Sequence, residues 1–284
     1  MSELHPLIDE MQIFVSAGVF DVLSAKLAER AGFKTVVVSG YAVAASYLGE
    51  PDIGLLTQTE ILDVARRVCR SVDCSVIVDG DTGHGGVHNV VRLVQECIAM
   101  GARGILLEDQ VWPKKCGHME GHAVIATEAH CEKIRAARHA KGDAPFLITA
   151  RTDARSAEGL DEAIARGTAY KEAGADLIFI EAPRDIDEMR RVTTEVPGPL
   201  VANMIDGGKT PILELDELHA LGYLSVGYVL TGLFAAAKAM ENAYAHLLRE
   251  GTSKGLDLMA FDDFTELLGL EEHLALDTKF KKTS

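Results

Sequence analysis

Short, almost wholly apolar runs recur along the chain, each bounded by glycine or polar residues. They are Ile13–Ala17, Thr35–Val38, Ser75–Val78, Gly104–Leu107, Phe146–Thr149, Leu177–Ile180, Leu200–Ala202 and Leu224–Tyr228. Runs that do not alternate with polar residues suit parallel strands buried on both faces. The segments between them carry helical spacing. Val22–Ala31 sets Leu23, Leu27 and Ala28 on one face, and Glu128–Ala140, Leu160–Ala173 and Asp187–Glu195 behave alike. Glycine follows several of these stretches, as at Gly32 and Gly174, where it suits a left-handed cap. Strands alternating with helices, with no composition break, predict an α/β fold: one (β/α)8 TIM barrel domain over residues 1–284. A doubly wound open sheet is the alternative, but it usually has fewer strands and a glycine-rich first turn. Leu230–Arg249 reads as the eighth helix, and Leu256–Phe280 as helical pattern in a tail over 250–284. The widest gaps follow the second and fourth strands, so those loops carry the elaboration.

Composition narrows the class. The 284 residues are 48% hydrophobic and 25% charged, ordinary for a globular protein. Lys and Arg number 28 against 43 Asp and Glu, a net charge of −15, which repels nucleic acid and anionic membrane. We therefore expect no nucleic-acid and no membrane partner, and an anionic substrate needs a local cation. No apolar run approaches the roughly 18–20 residues of a membrane span, and Met1–Gln12 lacks a secretory pattern. Five cysteines without paired spacing read as reduced thiols of a cytoplasmic protein.

Polar residues gather where the apolar runs stop. The second run ends in Ser39-Gly40-Tyr41, the third in Asp79-Gly80-Asp81 and the fourth in Glu108-Asp109. The fifth leads to Arg151-Thr152-Asp153, the sixth to Glu181 and the seventh to Asn203. Any one could merely cap the next helix. Six successive strand ends carrying such residues point instead to the carboxyl mouth of a barrel, where active sites form. Asp79, Asp81 and Glu108 form an all-oxygen set that favours Mg²⁺, with Mn²⁺ as a substitute. His84 and His88 lie in a glycine-rich loop and read as solvent-facing rather than as zinc ligands. The loop after the fourth strand carries Lys114-Lys115-Cys116-Gly117-His118. A thiol beside two lysines and a histidine is expected to sit in a field that stabilises thiolate, on a loop hinged at Gly117 and Gly121.

Taken in order, these residues resemble the isocitrate lyase/phosphoenolpyruvate mutase superfamily. Lys114–His118 is similar to the K-[KR]-C-G-H signature of its lyase branch. Pro51-Asp52-Ile53-Gly54, Asp79–Gly83, Glu108-Asp109-Gln110, Ala150–Ala154, Ile180-Glu181-Ala182 and Ala202-Asn203-Met204 fit as well. The resemblance implies a homotetramer in which the eighth helix is exchanged between subunits. It implies that Asp79 binds Mg²⁺ directly and that Asp81 and Glu108 hold it through water. It also implies that Ser39, Gly40, Tyr41, Arg151 and Asn203 bind a substrate carboxylate, and that Gly117 and His118, on the gating loop, contact the substrate as well. Cys116 would be the acid/base, with Asp52, Tyr41 and Glu181 assisting.

Methylisocitrate lyases carry an Arg six residues beyond a Tyr that aligns with Tyr228, and here that position is Phe234. A benzyl group removes a bidentate carboxylate partner, so a dicarboxylate is expected over a tricarboxylate. The expected activity is Mg²⁺-dependent carbon–carbon cleavage of substituted malates, or hydrolysis of oxaloacetate to oxalate and acetate. A phosphonomutase, a methylisocitrate lyase and a non-catalytic 2-oxo acid binder are the alternatives.

Overall fold

A computed structural model describes residues 14–281. Ile13, expected to open the first strand, and the segment Met1–Gln12 lie outside the described residues.

Eight parallel strands close into a barrel in sequence order. They are β1 (Phe14–Val19), β2 (Thr35–Val38), β3 (Ser75–Asp79), β4 (Gly104–Glu108), β5 (Leu147–Thr152), β6 (Leu177–Ile180), β7 (Leu200–Asn203) and β8 (Ser225–Tyr228). β1 pairs with both β2 and β8, which completes the ring. The (β/α)8 expectation therefore holds, with every predicted strand present. Helices fill the connections: α1 (Val22–Arg30), α2 (Gly40–Val43), α3 (Gln58–Cys69), α4 (Val87–Ala99), α5 (Thr127–Lys141), α6 (Ala154–Ala157), α7 (Leu160–Glu172), α8 (Ile186–Glu195) and α9 (Leu215–Leu221). The last three are α10 (Thr231–Glu250), α11 (Phe261–Leu267) and α12 (Leu270–Phe280).

The core lies between the ring and its helices. Val36, Val38, Val76, Val78, Ile105, Leu107 and Ile148 on the strands join Leu62, Val90, Leu93 and Ile134 on the helices in one buried cluster. Each such side chain contributes roughly 1.5–3 kcal/mol on burial, so the ring is a stiff platform for whatever its strand ends carry. Inside the ring the wall is mostly apolar, with Phe14, Ile77, Leu106, Leu147, Leu177, Phe179 and Val201 broken by Ser16, Thr149 and Ser225, and the charged groups begin toward the carboxyl ends. Register sets their height: Glu108 lies opposite Arg151 across β4–β5, and Asn203 opposite Gly227 across β7–β8.

The two widest gaps are elaborated as expected. After β2 the chain makes α2, then a π-helical turn over Ala44–Leu48 ended by left-handed Gly49. It next reaches α3, whose first residue follows a reciprocal Thr57–Glu60 cap. The tail differs from the single helical stretch expected. Gly269, at φ 76°, separates α11 from α12.

Two compact units make up the chain, divided between Leu233 and Phe234, inside α10. The first holds the barrel. The second holds the rest of α10 with α11 and α12, and none of these three helices has a buried residue. No helix among the described residues is long and apolar enough to cross a membrane.

Candidate active site

A cavity at the carboxyl mouth of the barrel is lined by Ser39, Tyr41, Asp52, Asp79, Lys114, Cys116, Gly117, His118, Arg151, Glu181 and Asn203. All but Lys114 are site residues expected from the sequence. Ile205, Val229 and Leu230 add an apolar wall that the sequence did not single out.

The carboxylates fall into two groups around two cations. Lys114 Nζ lies 2.6 Å from both Asp52 Oδ1 and Asp81 Oδ1, and only 3% of the Lys114 side chain is exposed. Its burial, which would lower the ammonium's pKa, is outweighed by Asp81, Glu108 and Asp52, so the charge is held firmly. Arg151 anchors the second group. Its Nε and Nη2 bind Asp153 at 2.9 and 2.8 Å, and its Nη1 lies 3.2 Å from Glu181 Oε2. Burial would raise the Glu181 carboxyl, but Arg151 and His118 overcome it and bring it down to about 2, so Glu181 is a fixed anion.

Asp79 and Gly40 are coupled. The Gly40 N–H donates to Asp79 Oδ2 at 3.0 Å, and the Asp81 N–H donates to Asp79 Oδ1 at 3.1 Å. A Cβ on Gly40 would lie 3.0 Å from Asp79 Oδ2 and 3.1 Å from Asp81 Oδ1, so glycine lets β2 approach the acids. In this structure the Gly40 amide thus orients Asp79, and Ser39 Oγ accepts the Ala42 N–H as cap of α2. Asp81 adopts a left-handed φ of 46°, a costly conformation for a residue with a side chain. Burial raises Asp81 to about 7 and pushes Glu108 well above the usual carboxylate range. Glu108 Oε1 is buried with no hydrogen-bond donor.

The environment of Cys116 reverses one expectation. Burial pushes its thiol up to about 11, against lowering contributions from the His118 backbone N–H and Arg151. The two lysines do not produce the thiolate-stabilising field anticipated. Lys114 is committed to Asp52 and Asp81, and Lys115 Nζ reaches the Gly121 carbonyl at 3.4 Å. Cys116 is therefore a protonated thiol near neutral pH. Its N–H donates to the Asp52 carbonyl at 3.1 Å, which ties the loop to the chain after β2. Gln110 fastens the same loop, donating to the Lys115 carbonyl at 2.8 Å and accepting the Lys115 N–H at 2.9 Å.

His84 also departs from the sequence reading. It is largely shielded from solvent, with burial lowering its ring to about 4. Tyr41 is shifted upward by burial and by nearby Cys116 and Asp52, which favours a neutral hydroxyl over a phenolate base. Gly117 has no room for a Cβ, which would overlap Arg151 Nη2 and Glu181 Cγ. Asn203 donates weakly to Glu181 Oε2 at 3.5 Å, and its Oδ1 is buried without a donor. Phe234 is the first residue of the second unit. Beneath the site, fully buried Asp109 accepts from Thr152 Oγ1, the Asp153 N–H and the Tyr170 hydroxyl, and Arg166 Nη1 lies 3.2 Å away. This network fixes Asp153, and through it Arg151.

A family model described as phosphoenolpyruvate phosphomutase matches residues 4–248. The petal death protein of Dianthus caryophyllus is 48% identical over 98% of this chain and 88% of its own length. The 2,3-dimethylmalate lyase of Eubacterium barkeri is 43% identical, covering 95% of this chain and 94% of that protein. Among solved structures, oxaloacetate acetylhydrolase in complex with the inhibitor 3,3-difluorooxalacetate superposes with TM-score 0.92 at 30% identity, over 96% of this chain and 94% of that one. Phosphonopyruvate hydrolase in complex with oxalate and Mg²⁺ follows at TM-score 0.87 and 32% identity, over 96% of both chains. A closed eight-stranded barrel, strand-end carboxylates around Lys114 and Arg151, and these matches over nearly the whole length agree: the chain belongs to the phosphoenolpyruvate phosphomutase family and is a lyase of the isocitrate lyase/phosphoenolpyruvate mutase superfamily.

Proposed function

We propose that this enzyme cleaves the C2–C3 bond of small 2-hydroxy dicarboxylates, substituted malates above all, and hydrolyses oxaloacetate by the same route with Mg²⁺ as cofactor. The observation that carries this reading is the Cys116 thiol lining a cavity at the barrel mouth together with Asp79, Arg151 and Asn203.

Among the described residues no three acids converge as a ready-made metal cluster, so the fit to a divalent cation rests on the chemistry of the donors. Asp52, Asp79, Asp81, Glu108, Asp153 and Glu181 share two cations, the buried Lys114 and the largely buried Arg151, and Glu108 Oε1 lacks any donor. Hard oxygen donors of this kind select Mg²⁺ or Mn²⁺. Asp79, Asp81 and Glu108 are the residues that would hold the ion. When bound, the ion neutralises the substrate carboxylate and acidifies the C2 hydroxyl.

The chain's own groups supply the rest. Arg151, held by Asp153 and Glu181, presents a positive face to the substrate carboxylate. The open Asn203 Oδ1 accepts the substrate hydroxyl. Asp52, acting through a water, takes the hydroxyl proton, a task for which the neutral Tyr41 phenol is poorly suited. Breaking the C2–C3 bond leaves the electron pair on C3 as an enolate and a 2-oxo acid at C2. Cys116 Sγ then gives its proton to that carbon, and the His118 N–H and Arg151 stabilise the resulting thiolate. The hydrate of oxaloacetate, a gem-diol, enters the same path.

Phe234 in place of an arginine supports dicarboxylates over tricarboxylates, since a third carboxylate left unpaired and buried costs several kcal/mol. Free thiols at all five cysteines support a reducing, cytoplasmic setting. The homotetramer with exchanged eighth helices is supported by α10, which has no buried residue in the single chain. The test is product analysis by NMR with oxaloacetate, 2- and 3-alkylmalates, methylisocitrate and phosphonopyruvate. Alkylmalates or oxaloacetate should be consumed fastest, with turnover lost in EDTA and restored by Mg²⁺. A tricarboxylate or phosphonate as best substrate, or full turnover in EDTA, would overturn the reading.

A further inference from the structure

His118 is expected, from the resemblance, to contact substrate, yet both nitrogens of its ring are already engaged. Nδ1 accepts the backbone N–H of Lys209 at 2.8 Å, and Nε2 lies 3.0 Å from Glu181 Oε1. An Nδ1 that accepts from an amide carries no proton. The ring is therefore the Nε2–H tautomer, and Nε2–H donates to Glu181. The approach depends on Gly208. A Cβ there would lie 2.6 Å from His118 Nδ1, and Gly208 does not have a left-handed φ that would otherwise demand glycine. The Lys209 side chain binds the same loop again, its Nζ donating to the Met119 carbonyl at 2.7 Å and pairing with Glu120 at 3.1 Å.

We propose that Lys209, through its backbone N–H, and Gly208, through its missing side chain, are positioning residues. They fix the tautomer of His118 so that it holds Glu181 beside Arg151 and does not exchange protons with substrate or with Cys116. The residues following β7 thereby set the position of the Cys116 loop. The role in turnover rests on the proposed lyase reading, whereas the tautomer itself does not.

The chemistry makes this arrangement useful. If Nδ1 carried the proton, it would face the Lys209 N–H donor to donor, and the bare Nε2 would face the Glu181 anion. Both contacts would be lost, and Glu181, with Ala182 N–H and Asn203 as its remaining neutral donors, could swing toward Arg151 and change what that guanidinium offers the substrate. The ammonium of Lys209 and its amide have separable functions, which variants can resolve.

Lys209→Ala keeps the N–H and loses the ammonium. Lys209→Pro loses both. ¹⁵N-histidine-labelled enzyme is compared by NMR, with the His118 ring signals assigned through His118→Gln. In the unmodified enzyme and in Lys209→Ala, Nδ1 should give the signal of a bare nitrogen accepting a hydrogen bond and Nε2 that of a protonated one. Lys209→Pro should lose that pattern, and its kcat should fall about tenfold or more while Lys209→Ala stays within a few-fold. If Lys209→Pro does not fold, Gly208→Ala provides the same displacement and should show the same loss. A protonated Nδ1 in the unmodified enzyme, or an unchanged His118 pattern in a folded Lys209→Pro or Gly208→Ala variant, would overturn the proposal. The NMR readout is independent of substrate, so a failed lyase assignment leaves it interpretable.

Discussion

Whether a cysteine serves as nucleophile or acid depends on its surroundings, and here burial decides. Pushed up to about 11, the Cys116 thiol carries its proton throughout the neutral range. A raised pKa means less thiolate at neutral pH, so alkylation of Cys116 by iodoacetamide, followed by peptide mapping, should be slower than for a free cysteine and accelerate only as pH approaches about 11. Rapid labelling at pH 7 would show a thiolate. Carbon–carbon cleavage leaves an enolate to be protonated and offers no electrophile for sulfur to trap. Cys116→Ser is a far weaker acid of similar shape, so kcat should fall by about 10²–10⁴-fold with ligand binding retained. Steady-state kinetics beside calorimetric titration with oxalate separates the two, and near-normal kcat would refute the role. The sequence pointed to Cys116 but misjudged its field. Adjacency along a loop does not fix direction, and Lys114 turns inward to Asp52 and Asp81 while Lys115 turns to Gly121.

At the level of elements, strands were legible because residues buried on both faces leave an unbroken apolar signature, and the strand-end polar residues followed from it. Helix α3 was not singled out from the sequence, although Thr57-Gln58-Thr59-Glu60 has the form of a capping box, realised here by reciprocal bonds between Thr57 and Glu60. What could not be read was which loop partners meet. Lys209 N–H and His118 lie 91 positions apart, and only closure of the barrel joins them. Gly117 shows how tightly the Cys116 loop is fitted. A methyl group there overlaps Arg151 and Glu181, so Gly117→Ala should displace the loop and lower kcat/KM by about 10²-fold, the usual cost of misplacing a catalytic group by an ångström. The barrel core is untouched, so the thermal midpoint should move little. A Gly117→Ala enzyme with unchanged kcat/KM would show that the loop is not positioned by this contact.

For the molecule as a whole, the net charge is −15, and Lys114 and Arg151 bring two cations to the mouth of the barrel, each paired with acids there. The barrel was legible from alternation alone. The helices of the second unit were legible too, but helical pattern does not reveal what covers them: Leu248 is 91% exposed and Phe261 80%. Apolar surface of this extent is expected to be covered by another copy of the chain. Sedimentation velocity should report a tetramer, and Leu248→Glu with Phe261→Glu should reduce it to smaller species. A monomeric unmodified enzyme would end that account.

The central claim is that the C2–C3 bond breaks and the enzyme returns one proton to C3. With 2,3-dimethylmalate in D₂O, the carboxylate released from the C3 side is propionate, whose C2 does not exchange with solvent unaided. Mass spectrometry and NMR of that propionate should show a single deuterium at C2, formed only with Mg²⁺ present and lost with Cys116→Ser. Propionate without deuterium, or no cleavage of the bond at all, would contradict the account.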